Sequence, residues 1–320
     1  MTVRLVIAGP NLTIDRTARI DHVRAGEVLR THAVAVTPGG KGVNVARAAA
    51  LLDAQATLVG FLPGRTGGVV AAMLGDHGVD LDGVAVPGEI RSASILHEPD
   101  GRTTVINEPG PPIGEADWRR HADLVATRLE HADVLVCSGS APPGTPADAY
   151  AKLARLAAAA GLPAIVDATG PLLAAAVDGG VAVVCPNLAE ARTLLGPETG
   201  EQVETDPDQG RDEAAQAARA LVDRGAAAAI VTAGALGAAV AHAGTVTWVA
   251  APTVEVVNGI GAGDCLVAAT AVAMGDGADV EQAAMVGVAT GSASVETPLG
   301  GTFVPDRVTQ LRATLRATTV

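Results

Sequence analysis

The chain has 320 residues, of which 48% are apolar and 18% charged, so its composition indicates a folded globular protein rather than a disordered or fibrous one. Lys and Arg total 22 against 35 for Asp and Glu, and the formal charge of -13 argues against nucleic acid as a partner, although a cleft could still bind a small phosphorylated ligand. No apolar run approaches the roughly 18 to 20 uninterrupted residues of a membrane helix, and the short N-terminal apolar run predicts a first strand in a cytoplasmic protein.

Apolar strand-like segments alternate with helix-like segments along most of the chain, which is typical of a mainly parallel sheet covered by helices. The predicted strands are 3–8, 56–61, 133–137, 163–167, 181–185 and 227–232, and the predicted helices are 42–52, 67–77, 146–160, 189–195, 211–224 and 265–274. Because these strands are continuously apolar, both faces of the sheet should be covered. The sequence therefore predicts a single α/β domain over residues 1–320.

Two stretches, about 14–36 and 84–106, instead alternate apolar with polar residues and contain Pro-Gly and Pro-Asp-Gly turn signals. This pattern predicts half-exposed antiparallel strands in a second, smaller sheet. We assign the strands of that sheet to about 11–36 and 84–108.

The cysteines and one acidic segment have plain structural interpretations. Cys137, Cys185 and Cys265 each lie in an apolar stretch and form no C-x-x-C pair, which predicts buried free thiols rather than disulfides or a zinc site. Residues 196–210 collect five acidic residues and are predicted to form a solvated loop.

A glycine-rich turn at 256–264 leads into an apolar helical segment. Such a turn exposes backbone N–H groups at the positive end of the helix dipole, which favours a bound anion such as phosphate. Asp264 lies in the same turn and has two interpretations. It could cap the helix, stabilising it by about 1 kcal/mol, or it could serve a reaction at the bound anion.

A second glycine-rich turn, 37–46, also precedes a predicted helix. It is not a Walker A loop, because Gly42 follows Lys41 where Ser or Thr is required. It does not match G-x-G-x-x-G either, because Val45 occupies the place of the last glycine. Backbone N–H groups, the Lys41 ammonium and the Asn44 amide remain, and they suit hydroxyl groups and phosphate.

These two turns, in this order and at this separation, resemble the signature segments of the ribokinase-like PfkB family of carbohydrate kinases, over nearly the whole chain. Segments 11–17, 106–111, 138–144 and 186–190 are similar to the branch that contains 1-phosphofructokinase and tagatose-6-phosphate kinase. The resemblance implies a three-layer α/β/α core, a mainly parallel sheet and a small β-sheet lid. It also implies ATP and Mg2+ as cofactors, with phosphate transfer to a primary hydroxyl of a sugar or sugar phosphate, such as the 6-position of fructose 1-phosphate.

The resemblance also implies roles for particular residues. Asp264 falls on the family's general base, and the N–H groups of Gly261, Ala262 and Gly263 would form an anion hole. The implied substrate-binding residues are Asp15, Gly39, Gly40, Lys41, Asn44, Arg91 and Ser138, and the implied nucleotide-binding residues are Asn187, Thr232, Gly234, Gly237 and Gly291. Glu190 would serve Mg2+ through water. Asn187 and Glu190 also have the spacing of a capping box at a helix start, and both interpretations can hold together.

The sequence departs from the family pattern at three places. Arg91-Ser92-Ala93 stands where the branch has Arg-x-Asn, Cys185 replaces a lysine, and Asn11-Leu12-Thr13 replaces Asn-Pro-Ala. Lys41 and Arg91 are then the predicted contacts for a phosphate already on the acceptor. Because the asparagine is lost, an unphosphorylated sugar, a sugar-like alcohol or a nucleoside stays open as the acceptor.

The sequence disfavours two other classes of protein. A ligand-binding sensor without catalysis is disfavoured because Asp264 and its glycine-rich turn are present, and a dinucleotide oxidoreductase is disfavoured by the failed G-x-G-x-x-G match. The lid strands should expose an apolar face that one small sheet cannot bury. We therefore expect a homodimer through the lid, which the resemblance also favours.

Overall fold

Strands and helices alternate along the chain in the computed structural model, which describes residues 2–31, 33–196 and 207–320. The strands are β1 (Arg4–Ala8), β2 (Thr13–Arg19), β3 (Ala33–Gly39), β4 (Gln55–Pro63), β5 (Asp80–Val86), β6 (Arg91–His97), β7 (Thr103–Asn107), β8 (Val134–Ser138), β9 (Ala164–Asp167), β10 (Val183–Val184), β11 (Ala228–Thr232), β12 (Gly237–His242), β13 (Thr245–Ala250) and β14 (Ala317–Thr319). The helices are α1 (Lys41–Leu51), α2 (Gly64–Asp76), α3 (Glu115–Leu129), α4 (Ala149–Ala159), α5 (Gly170–Asp178), α6 (Leu188–Leu195), α7 (Pro207–Arg224), α8 (Ala262–Gly275), α9 (Val280–Ser294) and α10 (Pro305–Thr314).

The large sheet has the order β14-β13-β12-β11-β10-β9-β8-β1-β4-β5 within the described residues. Strands from β11 to β5 are parallel, and β12, β13 and β14 are antiparallel additions at one edge. Along β1, Leu5 and Ile7 join one hydrophobic cluster while Val6 and Ala8 join another, because successive side chains of a strand point to opposite faces. Both faces of the sheet are therefore covered, and the three-layer α/β/α core with a mainly parallel sheet is confirmed.

Small residues let the helices approach the sheet closely. Helices α1, α2, α8, α9 and α10 contribute to the cluster on one face, and α3 to α7 contribute to the cluster on the other. At the end of β1 a methyl group on Gly9 would lie 3.0 Å from the Cα of Gly42, so the first turn of α1 rests directly on the strand end.

The antiparallel edge of the large sheet was not predicted. Strand β12 is rich in alanine and glycine, which have low strand propensity, so its local sequence gives little signal. Helices α3, α5 and α10 were also not assigned. In α3, the buried residues Trp118, His121, Val125 and Leu129 have helical spacing, and that pattern could have identified it.

The small sheet has the order β3-β2-β6-β7. The expectation that its strands are all antiparallel was wrong, because β2 and β6 are parallel, with Thr13 opposite Arg91. The reason is topological: the chain returns to the large sheet as β5 before it enters β6, so β2 and β6 are not joined by a hairpin. Residues 84–86, which were placed in the lid, belong to β5 of the large sheet.

Other expectations can be compared directly with the structure. The three cysteines are free and buried, as predicted. Residues 197–206 of the predicted acidic loop lie outside the described residues, and from residue 207 onward the chain is helical rather than a loop. Among the described helices, none is long and apolar enough to cross a membrane.

Three aromatic side chains pack α3 against β4 of the large sheet. The rings of Phe61, Trp118 and His121 pack against one another with centroids 5.0 to 5.3 Å apart. His121 is fully buried and its Nε2 donates to the carbonyl oxygen of Val59 at 3.3 Å. Burial lowers the pKa of His121 to about 4, against the smaller opposing effect of the Val59 hydrogen bond. The imidazole is therefore neutral in the folded protein at neutral pH.

We expect this histidine to make the protein less stable as the pH falls from about 6.5 towards 4. In that window the unfolded chain binds a proton at position 121 and the folded chain does not, so the free energy of unfolding decreases. Urea unfolding at pH 7 and pH 5 should show wild type losing roughly 2 kcal/mol more than His121→Gln between the two pH values. An equal loss of unfolding free energy in the two proteins would contradict a neutral His121 in the folded state.

Candidate active site

A cavity of about 1280 Å³ opens at the carboxyl ends of the parallel strands. This is the edge of an open α/β sheet at which ligands usually bind, because several strand ends and helix starts converge there. Most of the site residues identified in the sequence line it, namely Asp15, Gly40, Lys41, Asn44, Arg91, Ser138, Asn187, Thr232, Gly234, Gly261, Ala262, Gly263 and Asp264. The structure thus brings together residues that are as much as 249 positions apart in the chain, from Asp15 to Asp264.

The start of α8 forms part of the cavity wall. Gly261 is the N-cap with a φ of 86°, and a methyl group there would lie 2.9 Å from the backbone nitrogen of Gly301, so only glycine fits. Cys265 makes the first bond of the helix, from its N–H to the carbonyl of Gly261. The N–H groups of Ala262, Gly263 and Asp264 therefore have no acceptor within the helix and can bind an anion.

Asp264 does not cap the helix, and that interpretation of the sequence was wrong. Its carboxylate instead accepts a hydrogen bond of 2.7 Å from the Asn44 amide of α1. Asp264 is buried, and burial raises the pKa of its carboxyl to about 7; the Lys41 ammonium acts against this rise, and the Asp167 carboxylate adds to it. At neutral pH a substantial share of this carboxyl is therefore ready to accept a proton.

Lys41 lies among three carboxylates. Its Nζ donates to Asp167 Oδ1 at 2.9 Å and is 3.9 Å from Glu190 Oε1. Burial works against the charged form, but Asp167, Asp264 and Glu190 together hold the pKa of the ammonium above its ordinary value. Lys41 therefore stays protonated at the floor of the cavity.

Asp167 was not identified from the sequence as a site residue. It ends β9, is buried, and accepts a hydrogen bond of 3.2 Å from the hydroxyl of Ser138, which ends the neighbouring strand β8. The predicted strand 163–167 already ended on this aspartate. A carboxylate at the carboxyl end of an apolar parallel strand is the signal that could have identified it.

Asn187 and Glu190 form the predicted capping box at the start of α6. The Asn187 side chain accepts from the Glu190 N–H, and Glu190 Oε2 accepts from the Asn187 N–H, both at 2.9 Å. The second oxygen of Glu190 faces Lys41. Carboxylate oxygens of Asp167 and Glu190 are the ligand type that Mg2+ takes in proteins, directly or through water. These two side chains are therefore the residues that could hold a magnesium ion beside the cavity.

The opposite part of the cavity is formed by the small sheet. The Asp15 carboxylate of β2 lies against Gly39, where a methyl group would come within 2.0 Å of Asp15 Oδ2. Arg91 of β6 donates from Nε and Nη2 to the carbonyl oxygen of Asn11, at 3.1 and 2.9 Å. Glu108 accepts from the N–H and the hydroxyl of Ser92. Asp15 and Arg91 therefore bring a carboxylate and a guanidinium to the small-sheet side of the cavity.

Four predicted site residues do not line the cavity: Gly39, Glu190, Gly237 and Gly291. Gly39 and Glu190 act on lining residues, as described above. A methyl group on Gly291 would lie 3.0 Å from the Ala262 carbonyl oxygen, so this glycine lets α9 pack against the start of α8. Gly237 begins β12 with a φ of 132°, and a methyl group there would lie 2.1 Å from the Val249 carbonyl oxygen. Both glycines therefore allow close packing of elements outside the cavity lining.

Known proteins match this chain over almost its whole length. The profile of the pfkB family carbohydrate kinases matches residues 9–307. A 1-phosphofructokinase of Haloferax volcanii is 36% identical over 299 residues, which span 93% of this chain and 92% of that protein. An ATP-dependent 6-phosphofructokinase isozyme 2 of Mycobacterium tuberculosis is 31% identical over 299 residues, spanning 92% of this chain and 85% of that protein.

A solved structure also matches the fold of this chain. The crystal structure of phosphofructokinase-2 from Escherichia coli in complex with potassium matches with a TM-score of 0.87 at 28% identity, and the match covers 98% of this chain and 99% of that one. This agreement confirms the ribokinase-like fold and the kinase class that the sequence resemblance implied. The chain belongs to the pfkB family of carbohydrate kinases.

Proposed function

We propose that the protein transfers a phosphoryl group from ATP to a hydroxyl of a sugar phosphate of the fructose 1-phosphate or tagatose 6-phosphate type. The observation that carries the proposal is the position of Asp264. Its carboxylate lies at the positive end of α8, beside three N–H groups without a helical acceptor, and faces the cavity that also holds Lys41. The Asp264 carboxylate can thus act as a base next to N–H groups that can bind an anion, as phosphoryl transfer requires.

In the proposed mechanism Asp264 accepts the proton of the acceptor hydroxyl. The hydroxyl oxygen forms a bond to the γ-phosphorus while the bond from that phosphorus to the bridging oxygen of ADP breaks. Negative charge on the transferred group is held by the N–H groups of Gly261, Ala262 and Gly263 and by the Lys41 ammonium. Asp167 and Glu190 would hold Mg2+, directly or through water, and the bound ion would supply further charge neutralisation.

On the acceptor side, Asp15 would accept hydrogen bonds from sugar hydroxyls and Arg91 would bind the phosphate that the sugar already carries. The Nε, Nη1 and Nη2 of Arg91 each donate one hydrogen bond to a backbone carbonyl oxygen, but a guanidinium has five N–H donors, so two remain for a phosphate. Lys41 contacts Asp167 and Glu190 instead. We therefore assign Lys41 to the transferred phosphoryl group, which revises its expected role at the acceptor phosphate.

The test is ADP formation from ATP and Mg2+ with a panel of phosphorylated and free sugars, sugar alcohols and nucleosides. We expect turnover with a ketohexose phosphate, and Asp264→Asn should lower kcat at least about a hundredfold because it removes the base and keeps the shape. Asp276→Asn is the matched control, since Asp276 is exposed at the other end of the same helix.

The outcomes separate the candidate functions. Turnover with a free sugar, a sugar-like alcohol or a nucleoside only would replace the proposed substrate class and keep the kinase. Ligand binding without ADP formation would identify a sensor. Near-normal kcat in Asp264→Asn would contradict the role of this carboxylate as the base.

Arg91 should determine affinity for the acceptor's phosphate. Arg91→Ala is expected to raise the KM for a sugar phosphate roughly tenfold or more, since a charge-assisted contact is lost, and to change the KM for ATP little. Arg16→Ala is the control, because Arg16 is exposed on the small sheet outside the cavity. An unchanged KM for the sugar phosphate in Arg91→Ala would contradict the assignment.

The small sheet also supports the proposed homodimer. Val34 and Val36 of β3 and Ile106 of β7 are exposed on the face of the small sheet that points away from the cavity, and Ile106 is 60% exposed. Covering apolar surface of this kind contributes about 25 cal/mol per Å². Light scattering should give twice the chain mass of 31.7 kDa, and Ile106→Glu should shift the particle towards the monomer. Monomer mass for wild type across micromolar concentrations, with and without substrate, would show that the lid serves its own subunit alone.

A further inference from the structure

We infer that Arg47 is a positioning residue, which fixes the orientation of the Asn44 amide towards Asp264 and ties that amide to the end of lid strand β3. The inference rests on the proposed function, because it concerns the carboxylate assigned there as the base. Arg47 does not line the cavity, but it contacts Asn44, which does. Its action must therefore pass through other side chains.

Arg47 is a buried cation on a helix that is otherwise alanine and valine on its inner face. It is 7% exposed. Its Nη2 donates to the carbonyl oxygen of Pro38 at 2.7 Å, and its Nη1 donates to Asn44 Oδ1 at 3.4 Å. Burial lowers the pKa of the guanidinium, and the nearby Asp15 carboxylate opposes that effect. A buried charge is retained at a cost, which favours a specific role for these contacts.

The hydrogen bonds determine which way the Asn44 amide points. A guanidinium has only donors, so the group that faces Arg47 must be the amide oxygen of Asn44. The amide nitrogen is then directed to Asp264 Oδ2, which it contacts at 2.7 Å. The rest of Asn44 has little freedom, since a methyl group on Gly301 would lie 2.7 Å from the Asn44 Cα. Rotation of the amide is the remaining freedom, and the contacts to Arg47 and Asp264 together oppose it.

The second contact links the same guanidinium to the lid. Pro38 precedes Gly39, the last residue of β3, and Gly39 lies against the Asp15 carboxylate. One side chain thus holds both the strand end that supports Asp15 and the amide that supports Asp264. Loss of Arg47 should therefore misplace Asp264 relative to the acceptor hydroxyl more than it weakens binding of ATP.

The first test measures the amide itself and requires no activity. The chain has five asparagines, at 11, 44, 107, 187 and 258, so protein labelled with [15N]asparagine gives five side-chain NH2 pairs. The Asn44 pair is assigned by its loss in Asn44→Ser. We expect Arg47→Met to move the Asn44 pair and leave the pairs of Asn187 and Asn258 in place.

The second test measures kinetics. Arg47→Met should lower kcat roughly ten- to hundredfold, with the KM for ATP within about twofold of wild type, and Arg47→Lys should recover part of the loss because an ammonium can make one of the two contacts. On the Asn44→Ser background, Arg47→Met should lower kcat by less than about threefold more, since the amide it orients is gone.

The control and the contradicting outcomes follow from the same contacts. Arg120→Met removes a guanidinium that also donates to a backbone carbonyl, that of Ala85, but on the exposed face of α3, and it should leave both readouts unchanged. An unmoved Asn44 pair in Arg47→Met overturns the inference. So does a higher acceptor KM at unchanged kcat, which would place the action of Arg47 on Asp15. If wild type forms no ADP, the proposed function fails while the NMR result still decides the role of Arg47.

Discussion

The ion cluster at the floor of the cavity is the constraint on which the rest of the site depends. Asp167, Glu190 and Asp264 come from three different elements and share the ammonium of Lys41. Charges away from water are costly unless they are paired, and here the carboxylates outnumber the cation that they share. Burial raises the pKa of Asp264 to about 7, and the Asp167 and Glu190 carboxylates add to that rise against the opposing effect of Lys41. An excess of carboxylates of this kind favours a bound cation.

Helix α1 supports this cluster through one of its faces. Lys41, Asn44 and Arg47 are spaced three residues apart, so they lie on neighbouring turns of the same side. Each makes a different connection: Lys41 to β9, Asn44 to α8, and Arg47 to the end of β3. The position of α1 is set at its start, where Gly40 is the N-cap with a φ of 106°, a backbone region that favours glycine. One turn thus determines where all three polar groups point.

Sequence patterns predicted the elements whose structure depends on residues close together in the chain. The apolar strands, the glycine-rich turn before α8 and the capping box of Asn187 and Glu190 each depend on neighbours within a few residues. The parallel pairing of β2 with β6 depends on the path of the chain between them, which passes through β5 of the large sheet. The residues of β2 and β6 themselves give no signal of that path. Arg47 is a similar case, because an arginine among alanines in a helix usually faces solvent, and only the packed structure shows that it is buried.

Cys185 shows why the cluster depends so strongly on Lys41. It stands where the family pattern has a lysine, directly after β10. The charges of Asp167 and Lys41 both act on its thiol. Burial raises the pKa of its thiol far above the ordinary range, so the side chain is neutral and brings no positive charge. Among the described residues, the contacts to Asp167 and Glu190 by an ammonium come from Lys41 alone. Among the described residues, neutralisation of these carboxylates by an ammonium therefore depends on this one lysine.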